Sequence, residues 1–337
     1  MAIVLGHVLR GLVAAGAIDS AGSFVMWDKL LYSFHVAVFA FLAGLFVRGS
    51  VERAGVGPYL RRRLANFTYL FILWSLLQGA AKLLTGALVN TPTSITDVLR
   101  FWEPEGQLWF LPFLMVATAS AALARPWRRR WIATLSVAVA LIVAVVSWGI
   151  EARVIGLQGL PLLLFYLVGV LTGAPRLIRV LGRPGILASG LAAAAFGSCF
   201  VVLVLFTSSA PPTVEVSQRT ARSIAWGLLA TTCGVVVTLV FSRVLSLLGG
   251  TVRLLAFIGQ RTLEIFLAHI LAAAGTRILL TQLGISNVYV HVALGIVAGV
   301  GLPIALWWFG LRLRVPYLFE PPSALTGRNL SRSSATV

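Results

Sequence analysis

Two histidines lie inside apolar stretches near the start of the sequence. His7 falls in the run 1–16 and His35 in the run 29–47. An ionisable side chain in a membrane helix usually faces the interior of the bundle or a water-filled cavity, because hydrocarbon solvates it poorly. An imidazole can take a hydroxyl proton and return it, since its unperturbed pKa lies near working pH. The pair predicts a site that activates a hydroxyl group. The alternative is that each ring only hydrogen-bonds a neighbouring helix.

Three further side chains are candidates for the same chemistry or its support. Arg10 lies one helical turn after His7, near the same face; its alternative is to extend to the bilayer surface and pair with lipid phosphate. Trp109 lies near the start of the fourth apolar run, 107–124, where its alternative is an interfacial aromatic belt. His269 lies in the ninth run, 262–281. Arg10 and Trp109 are therefore candidates that each have a structural alternative.

A carboxylate precedes His269 in the ninth run. Glu264 lies five positions before it, so the two side chains share a helix face only loosely. A buried carboxylate needs a partner, and we expect Arg261 or a histidine to supply it. Such a pair would also fix this helix to its neighbours. His291, at the start of the last run, is expected to be solvated.

The composition identifies the class of protein. The chain is 59% hydrophobic and 11% charged, with a mean hydropathy of +0.95 over 337 residues, so it lacks the polar surface of a soluble domain. The net charge of +17 comes from arginines clustered between apolar runs, as orientation signals are, which argues against nucleic-acid binding. Cys199 and Cys233 form neither a disulfide framework nor a metal-ligand pair, and we predict no metal site. Motifs of serine hydrolases, zinc proteases and nucleotide-driven enzymes are missing.

The apolar runs predict an all-α polytopic membrane bundle of about ten transmembrane helices. Most arginines lie in alternate connections, so the positive-inside rule places both termini in the cytoplasm. The first run is shorter than the roughly 20 residues that a bilayer needs, and we expect the true start to lie upstream. The predicted runs are 1–16, 29–47, 65–88, 107–124, 131–149, 159–173, 185–207, 224–248, 262–281 and 288–309.

This topology places the first two histidines at similar depth. His7 would lie about 13 Å, and His35 about 9 Å, below the outer surface, from the helical rise. The short connection makes the two helices antiparallel neighbours. We therefore predict that the two rings approach each other.

The sequence divides into two parts. Residues 1–310 form the predicted transmembrane domain, and 311–337 form a cytoplasmic, disordered tail that becomes rich in serine and arginine after Glu320.

Four blocks of this sequence resemble the acyltransferase 3 superfamily of integral membrane acyltransferases, and within it the branch of fucose 4-O-acetylase and related acetyltransferases. The blocks lie in the expected order along residues 1 to 310. The second-helix and ninth-helix blocks are the more specific ones. The blocks are Val4-Leu5-Gly6-His7, the F-H-x-x-x-F-x-F block Phe34–Gly44, Gln107-Leu108-Trp109-Phe110-Leu111-Pro112, and Ile258–His269.

The resemblance implies an enzyme that transfers an acyl group, usually acetyl, from cytoplasmic acyl-CoA to a hydroxyl of a sugar or similar acceptor, often for the cell surface. Acyl-CoA is then a substrate, and no permanently bound cofactor is expected. By position, His7 corresponds to the family's catalytic histidine. The family's partner arginine would lie before Met1, and this sequence departs from the pattern there: either the true start lies upstream, as the short first run favours, or a catalytic element is lost. Arg10 lies on the wrong side of His7 to replace it by sequence position.

Our leading hypothesis is an O-acyltransferase in which His7, with His35 nearby, activates an acceptor hydroxyl. We place it in a bacterial cytoplasmic membrane. Candidates for binding the CoA phosphates are Arg61, Arg62, Arg63 and Arg128, which serve equally well as topology signals. The alternatives are a ten-helix proton-coupled transporter using Glu264, His269 and His35, and a non-catalytic scaffold. The acceptor, the acyl chain and the oligomeric state do not follow from the sequence.

Overall fold

The computed structural model describes residues 1–86, 93–249, 252–322 and 325. Helices dominate, and no strand occurs in these ranges. Two 3-10 turns, Leu160–Leu162 and Pro316–Leu318, complete the regular structure. The α-helices are α1 (Ala2–Ala14), α2 (Ser23–Tyr32), α3 (His35–Gly44), α4 (Val47–Ala54), α5 (Val56–Thr85), α6 (Ile95–Val98), α7 (Phe110–Ala124), α8 (Arg130–Ser147), α9 (Leu163–Thr172), α10 (Ala174–Gly182), α11 (Ile186–Phe206), α12 (Ala221–Leu247), α13 (Val252–Gln260), α14 (Thr262–Gln282) and α15 (Val288–Arg312).

Each predicted apolar run contains a helix. Within the described ranges, seven helices are long and apolar enough to cross a membrane, and the broken segment Ser23–Ala54 counts as one of them. The pair Leu160–Thr172 and Ala174–Gly182, bent by 79°, supplies an eighth if it is one span. Helices α1 and α7 are apolar but shorter. The prediction of a polytopic helical membrane protein is confirmed, whereas the count of ten and the cytoplasmic termini stay predictions.

The second span is interrupted just before the histidine of the F-H block. Phe34 leaves helical geometry, with φ −139° and ψ −34°, so α2 stops and α3 restarts at His35. Such a break leaves carbonyls without helical partners. Side chains add bonds in this turn: the Ser33 hydroxyl donates at 2.6 Å to the Lys29 carbonyl, which also accepts from the Ser33 backbone N–H at 3.1 Å, and the His35 ring bonds the Leu31 carbonyl. The break fixes the position at which His35 enters the bundle.

The following segment packs unusually closely against α9. A Cβ placed on Gly44 would overlap the Tyr166 carbonyl, and one on Gly169 would overlap the Phe41 carbonyl. Two glycines therefore let the backbones of α3 and α9 touch, as small residues do in membrane bundles. Helix α1 contacts α2, α14 and α15, so His7 lies inside the bundle.

Residues after α15 also pack against the bundle. The Trp74 indole N–H donates to the Leu318 carbonyl at 2.8 Å, and Phe319 is 5% exposed with its ring 5.5 Å from Trp74. From the sequence, we assigned residues 311–337 to a disordered tail. A composition rich in Pro and Ser does not show that the Phe319 ring within it is buried. Residues 323–324 and 326–337 lie outside the described residues.

Candidate functional site

A polar cavity of about 550 Å³ lies at one end of the bundle. His7 and His35 line its wall, with Tyr32 between them. Its mouth lies among the connections 93–107, 151–158 and 213–214, on the side that the charge pattern predicts to be external. The mouth carries both signs of charge, from Asp97, Arg100, Glu103, Glu105, Glu151 and Arg153. Such a lining suits a polar, hydroxyl-rich molecule better than an apolar one.

Asp97 is held at the mouth by a capping box. The Ser94 hydroxyl accepts from the Asp97 backbone N–H at 3.2 Å, and the Asp97 carboxylate accepts from the Ser94 backbone N–H at 2.9 Å. Hydrogen bonds from Ser94 lower the pKa of Asp97 below its ordinary value. The carboxylate therefore stays charged at neutral pH.

The His35 ring has a defined tautomer. Its Nδ1 lies 2.6 Å from the Leu31 carbonyl, which can only accept, so Nδ1 carries the proton. The other ring nitrogen, Nε2, then holds a lone pair. The residue is 3% exposed and lines the cavity, so this lone pair is available for a proton from a molecule bound there.

His269 has the same arrangement on α14. Its Nδ1 lies 2.8 Å from the Ile265 carbonyl and 3.0 Å from the Phe266 carbonyl, so it donates and Nε2 is an acceptor. That Nε2 is buried and has no hydrogen-bond partner in the described part of the chain. The His269 ring lies 5.1 Å from the His7 ring, between centroids. An unsatisfied buried acceptor thus adjoins the ring of His7.

The two amino-terminal histidines are separated by an aromatic ring. The Tyr32 ring lies 6.3 Å from His7 and 4.9 Å from His35, between centroids. The predicted approach of His7 and His35 therefore takes the form of a shared wall with Tyr32 between them. Gly6 permits it, because a Cβ there would lie 3.1 Å from the tyrosine ring. The Tyr32 hydroxyl is buried without a partner among the described residues.

Arg10 is fixed at the same wall by two contacts. Its guanidinium donates to both carboxylate oxygens of Asp28, Nε at 2.6 Å and Nη2 at 2.9 Å. It also lies 3.5 Å above the centre of the Tyr32 ring, a cation–π contact. Asp28, rather than a lipid phosphate, is the partner of Arg10. A positive charge is thereby held one turn from His7.

Two glutamines hold the backbone of α14 beside the site. The Gln107 side-chain amide donates to the Phe266 and Leu267 carbonyls at 3.2 and 3.3 Å. Gln78 donates to the Leu267 carbonyl at 3.1 Å. Both side chains are 3% exposed. They fix the turn of α14 that precedes His269, and sequence reasoning had assigned them no role.

Of the remaining candidates, Trp109 and Glu264 make defined contacts, whereas the four arginines proposed to bind CoA lie away from both cavities. Trp109 is half-buried and lines the cavity, where it packs against Gly159. Glu264 pairs with Arg261 at 3.6 Å, one of the two partners expected from the sequence, and Arg261 lies 3.5 Å over the Trp307 ring. The inner-face candidates line neither this cavity nor the second one described below; they are Arg61, Arg62, Arg63 and Arg128.

His291 is not solvated, contrary to the expectation from the sequence. It is 6% exposed, and its Nε2 donates to the Ile285 carbonyl at 2.7 Å. The ring thereby bonds to the connection between α14 and α15. Apolar periodicity does not predict this, because it does not report the path of a connection.

A second cavity, of about 440 Å³, shares His7 and Arg10 with the first. It lies between α1, α5, α14 and α15 and is lined mainly by apolar side chains. His7 therefore forms part of the wall of both a polar and an apolar cavity.

Asp28 and Tyr32 are site residues that sequence reasoning missed. The second run was predicted to begin at 29, which placed Asp28 in a connection, but α2 begins at Ser23. Both side chains then lie on a helix that contacts α1. The missed signal was the spacing of four between Asp28 and Tyr32, which puts a carboxylate and an aromatic ring on one helix face.

Comparison with known proteins identifies the family. The acyltransferase 3 family, described as an acyltransferase domain, matches residues 1–308. No curated protein and no solved structure matches the chain significantly. The match covers both cavities and every helix from α1 to α14, while assignment to the fucose 4-O-acetylase branch stays a prediction. The chain belongs to the acyltransferase 3 family of membrane acyltransferases.

Proposed function

We propose that this membrane acyltransferase moves an acyl group from acyl-CoA to a hydroxyl of a sugar, cell-surface glycan or secreted metabolite. The observation that carries the proposal is the position of His7, in the wall of a polar cavity and beside the unpartnered acceptor nitrogen of His269. The charged mouth supports a polar acceptor. The family match does not favour the transporter alternative.

The reaction follows general base catalysis. A neutral nitrogen of His7 takes the proton of the acceptor hydroxyl as the oxygen attacks the thioester carbonyl. A carbon–oxygen bond forms, and a tetrahedral oxyanion results. When it collapses, the carbon–sulfur bond breaks, and the thiolate of CoA receives the proton from the imidazolium. The products are the ester and free CoA, and His7 returns to its neutral form.

His269 is the proposed positioning residue for His7. Its Nε2 can accept a hydrogen bond from the N–H of His7 after a small rotation of the His7 ring. That bond would select the tautomer whose other nitrogen faces the acceptor, as the third member of a catalytic triad does. The donation of His269 Nδ1 to two carbonyls keeps Nε2 unprotonated for this purpose.

Arg10 and His35 are proposed to support the same step. Arg10 lines the cavity one turn from His7, and its positive charge favours an oxyanion formed there. Asp28 fixes the position of that charge. His35 offers a second acceptor nitrogen to the same cavity, which suits it to bind another hydroxyl of a polyhydroxylated acceptor.

The donor is proposed to approach from the basic end of the bundle. Arg61, Arg62 and Arg128 are exposed there, and guanidinium groups bind phosphates in bidentate fashion. This arrangement keeps the anionic nucleotide at the predicted cytoplasmic face of a bacterial inner membrane. The thioester alone then enters the bundle and reaches His7.

The test is acyl transfer in membranes that contain the full chain. Radiolabelled acetyl-CoA and octanoyl-CoA are supplied with a panel of sugars and polyols, and both ester formation and free CoA are measured. The variant is His7→Gln, which keeps a side-chain amide in place of the ring. The matched control is Leu5→Ala, on the same helix but lining neither cavity. Transfer that survives His7→Gln at the rate of the control would contradict the proposal.

A further inference from the structure

The second cavity provides an apolar space that begins at the proposed base. His7, Val8 and Leu12 of α1 form one wall, and Ile270, Ala274 and Ile278 of α14 form another. These residues follow the helices from the level of His7 to their outer ends, roughly 12 Å along α14 at 1.5 Å per residue. The inner end of this space therefore adjoins the ring that is proposed to activate the acceptor.

One reactant suits such a space. The acceptor needs a polar environment, which the first cavity provides, with charges at its mouth. The nucleotide of CoA is anionic and cannot enter an apolar crevice without a large desolvation cost. The remaining part is the acyl chain, whose carbonyl must lie at His7. A hydrocarbon chain attached to that carbonyl extends directly into the second cavity.

The size of the cavity argues against an acetyl group as the largest occupant. An apolar cavity of 150 Å³ holds a benzene molecule, with six carbons. A cavity of about 440 Å³ therefore has room for roughly a dozen or more carbons, of which acetyl supplies two. Apolar walls of this extent are unfavourable in water, and a hydrocarbon chain that covers them would stabilise the protein.

We propose that the second cavity binds the hydrocarbon chain of the donor, so that the enzyme accepts acyl-CoA with chains of about eight to twelve carbons. This inference rests on the proposed function and specifies its donor. The charged and polar groups at the far end, Lys82, Arg277 and His291, limit the chain length because a longer chain would desolvate them.

Two glycines allow the cavity to be filled without disturbing its walls. Gly275 on α14 and Gly11 on α1 line it, and a Cβ on either would meet nothing within 4 Å. A leucine at either position would occupy the space of about four carbons of the chain. Gly301 on α15 is the matched control, because a Cβ there also meets nothing within 4 Å and it lines neither cavity.

The experiment measures kcat/KM with four donors: acetyl-, hexanoyl-, decanoyl- and hexadecanoyl-CoA. Each donor is tested in membranes that contain the unmodified full chain or one of its variants Gly275→Leu, Gly11→Leu and Gly301→Leu. Each buried CH₂ is expected to raise kcat/KM about fourfold until the cavity is full. Gly275→Leu and Gly11→Leu should each displace about two to four CH₂ groups of a decanoyl chain, which lowers kcat/KM for decanoyl-CoA by about 15- to 250-fold and leaves acetyl-CoA unchanged. Gly301→Leu should behave as the unmodified chain.

The outcomes separate this inference from the proposed function. Transfer that is fastest with acetyl-CoA and does not increase with chain length would overturn the inference and leave the function standing. An equal loss with every donor in Gly275→Leu would also overturn it, since that result assigns the cavity to a lipid tail of the acceptor. Binding is read independently with decanoyl-CoA that carries a photoreactive diazirine at the chain end. Crosslinks to residues 270–278 without acyl transfer would support the inference and refute the function.

Discussion

The contact between Arg10 and Asp28 gives a prediction that can be worked out from the structure. Asp28→Asn keeps the shape of the side chain but removes its charge, and Arg10 loses two charge-assisted hydrogen bonds, of 2.6 and 2.9 Å. Such bonds contribute about 1.5–3 kcal/mol each at most. The Arg10 side chain is 37% exposed and that of Asp28 is 19% exposed, so screening reduces the value. We expect a coupling free energy of about 1–2 kcal/mol.

The assay is a double-mutant cycle in detergent. Thermal unfolding is measured for the unmodified chain, Asp28→Asn, Arg10→Gln and the double variant, which isolates the pairwise free energy. Arg10→Lys is the control for geometry, because an ammonium group keeps the charge but cannot form the bidentate contact. The same variants are assayed for transfer. If Asp28 positions the charge of Arg10, Asp28→Asn should lower kcat about tenfold and leave KM within twofold.

Two results would refute this reasoning. A coupling free energy below about 0.5 kcal/mol would mean that the ion pair contributes no more than an ordinary exposed one. A kcat unchanged in Asp28→Asn, together with a coupling of the expected size, would mean that the pair is structural and that Arg10 does not act on the oxyanion.

Two further predictions concern the packing of the bundle. Gly44→Ala should destabilise the protein by about 3 kcal/mol, because the new methyl group overlaps the Tyr166 carbonyl. The measurement is thermal unfolding, with Gly301→Ala, where space is open, as the control. Equal midpoints for the two variants would disprove the contact. Tyr32→Phe should not lower the free energy of unfolding. It removes a buried hydroxyl without a partner among the described residues and keeps the ring under Arg10. A decrease above about 1 kcal/mol in the same measurement would show that the hydroxyl has a hydrogen-bond partner.

The fold could be predicted well from the sequence because the bilayer imposes a simple rule. Long apolar runs must be helices, since hydrocarbon leaves no other way to satisfy the backbone. Breaks inside a run are harder to predict. The interruption at Phe34 lies between Ser33 and His35 inside a predicted run, and the hydropathy of that run does not mark Phe34 as the residue that leaves helical geometry.

The candidate site could be predicted only in part. His7 and His35 stood out because imidazoles are rare in apolar runs. Their neighbours did not, because the contacts of Arg10 with Asp28 and of His7 with His269 join separate helices. Which faces meet depends on the rotation of each helix about its axis, and hydropathy does not specify that rotation. The burial of His291, whose ring bonds to the connection before α15, is a further example of the same limit.

The central claim is that His7 is the base for acyl transfer in the polar cavity. The most direct measurement is ester formation from radiolabelled octanoyl-CoA by the unmodified chain, His7→Gln and Leu5→Ala, each inserted to the same level. We expect His7→Gln to reduce kcat by at least about a hundredfold, the lower range for general base catalysis, while Leu5→Ala retains full activity. Equal rates for His7→Gln and Leu5→Ala would contradict the account.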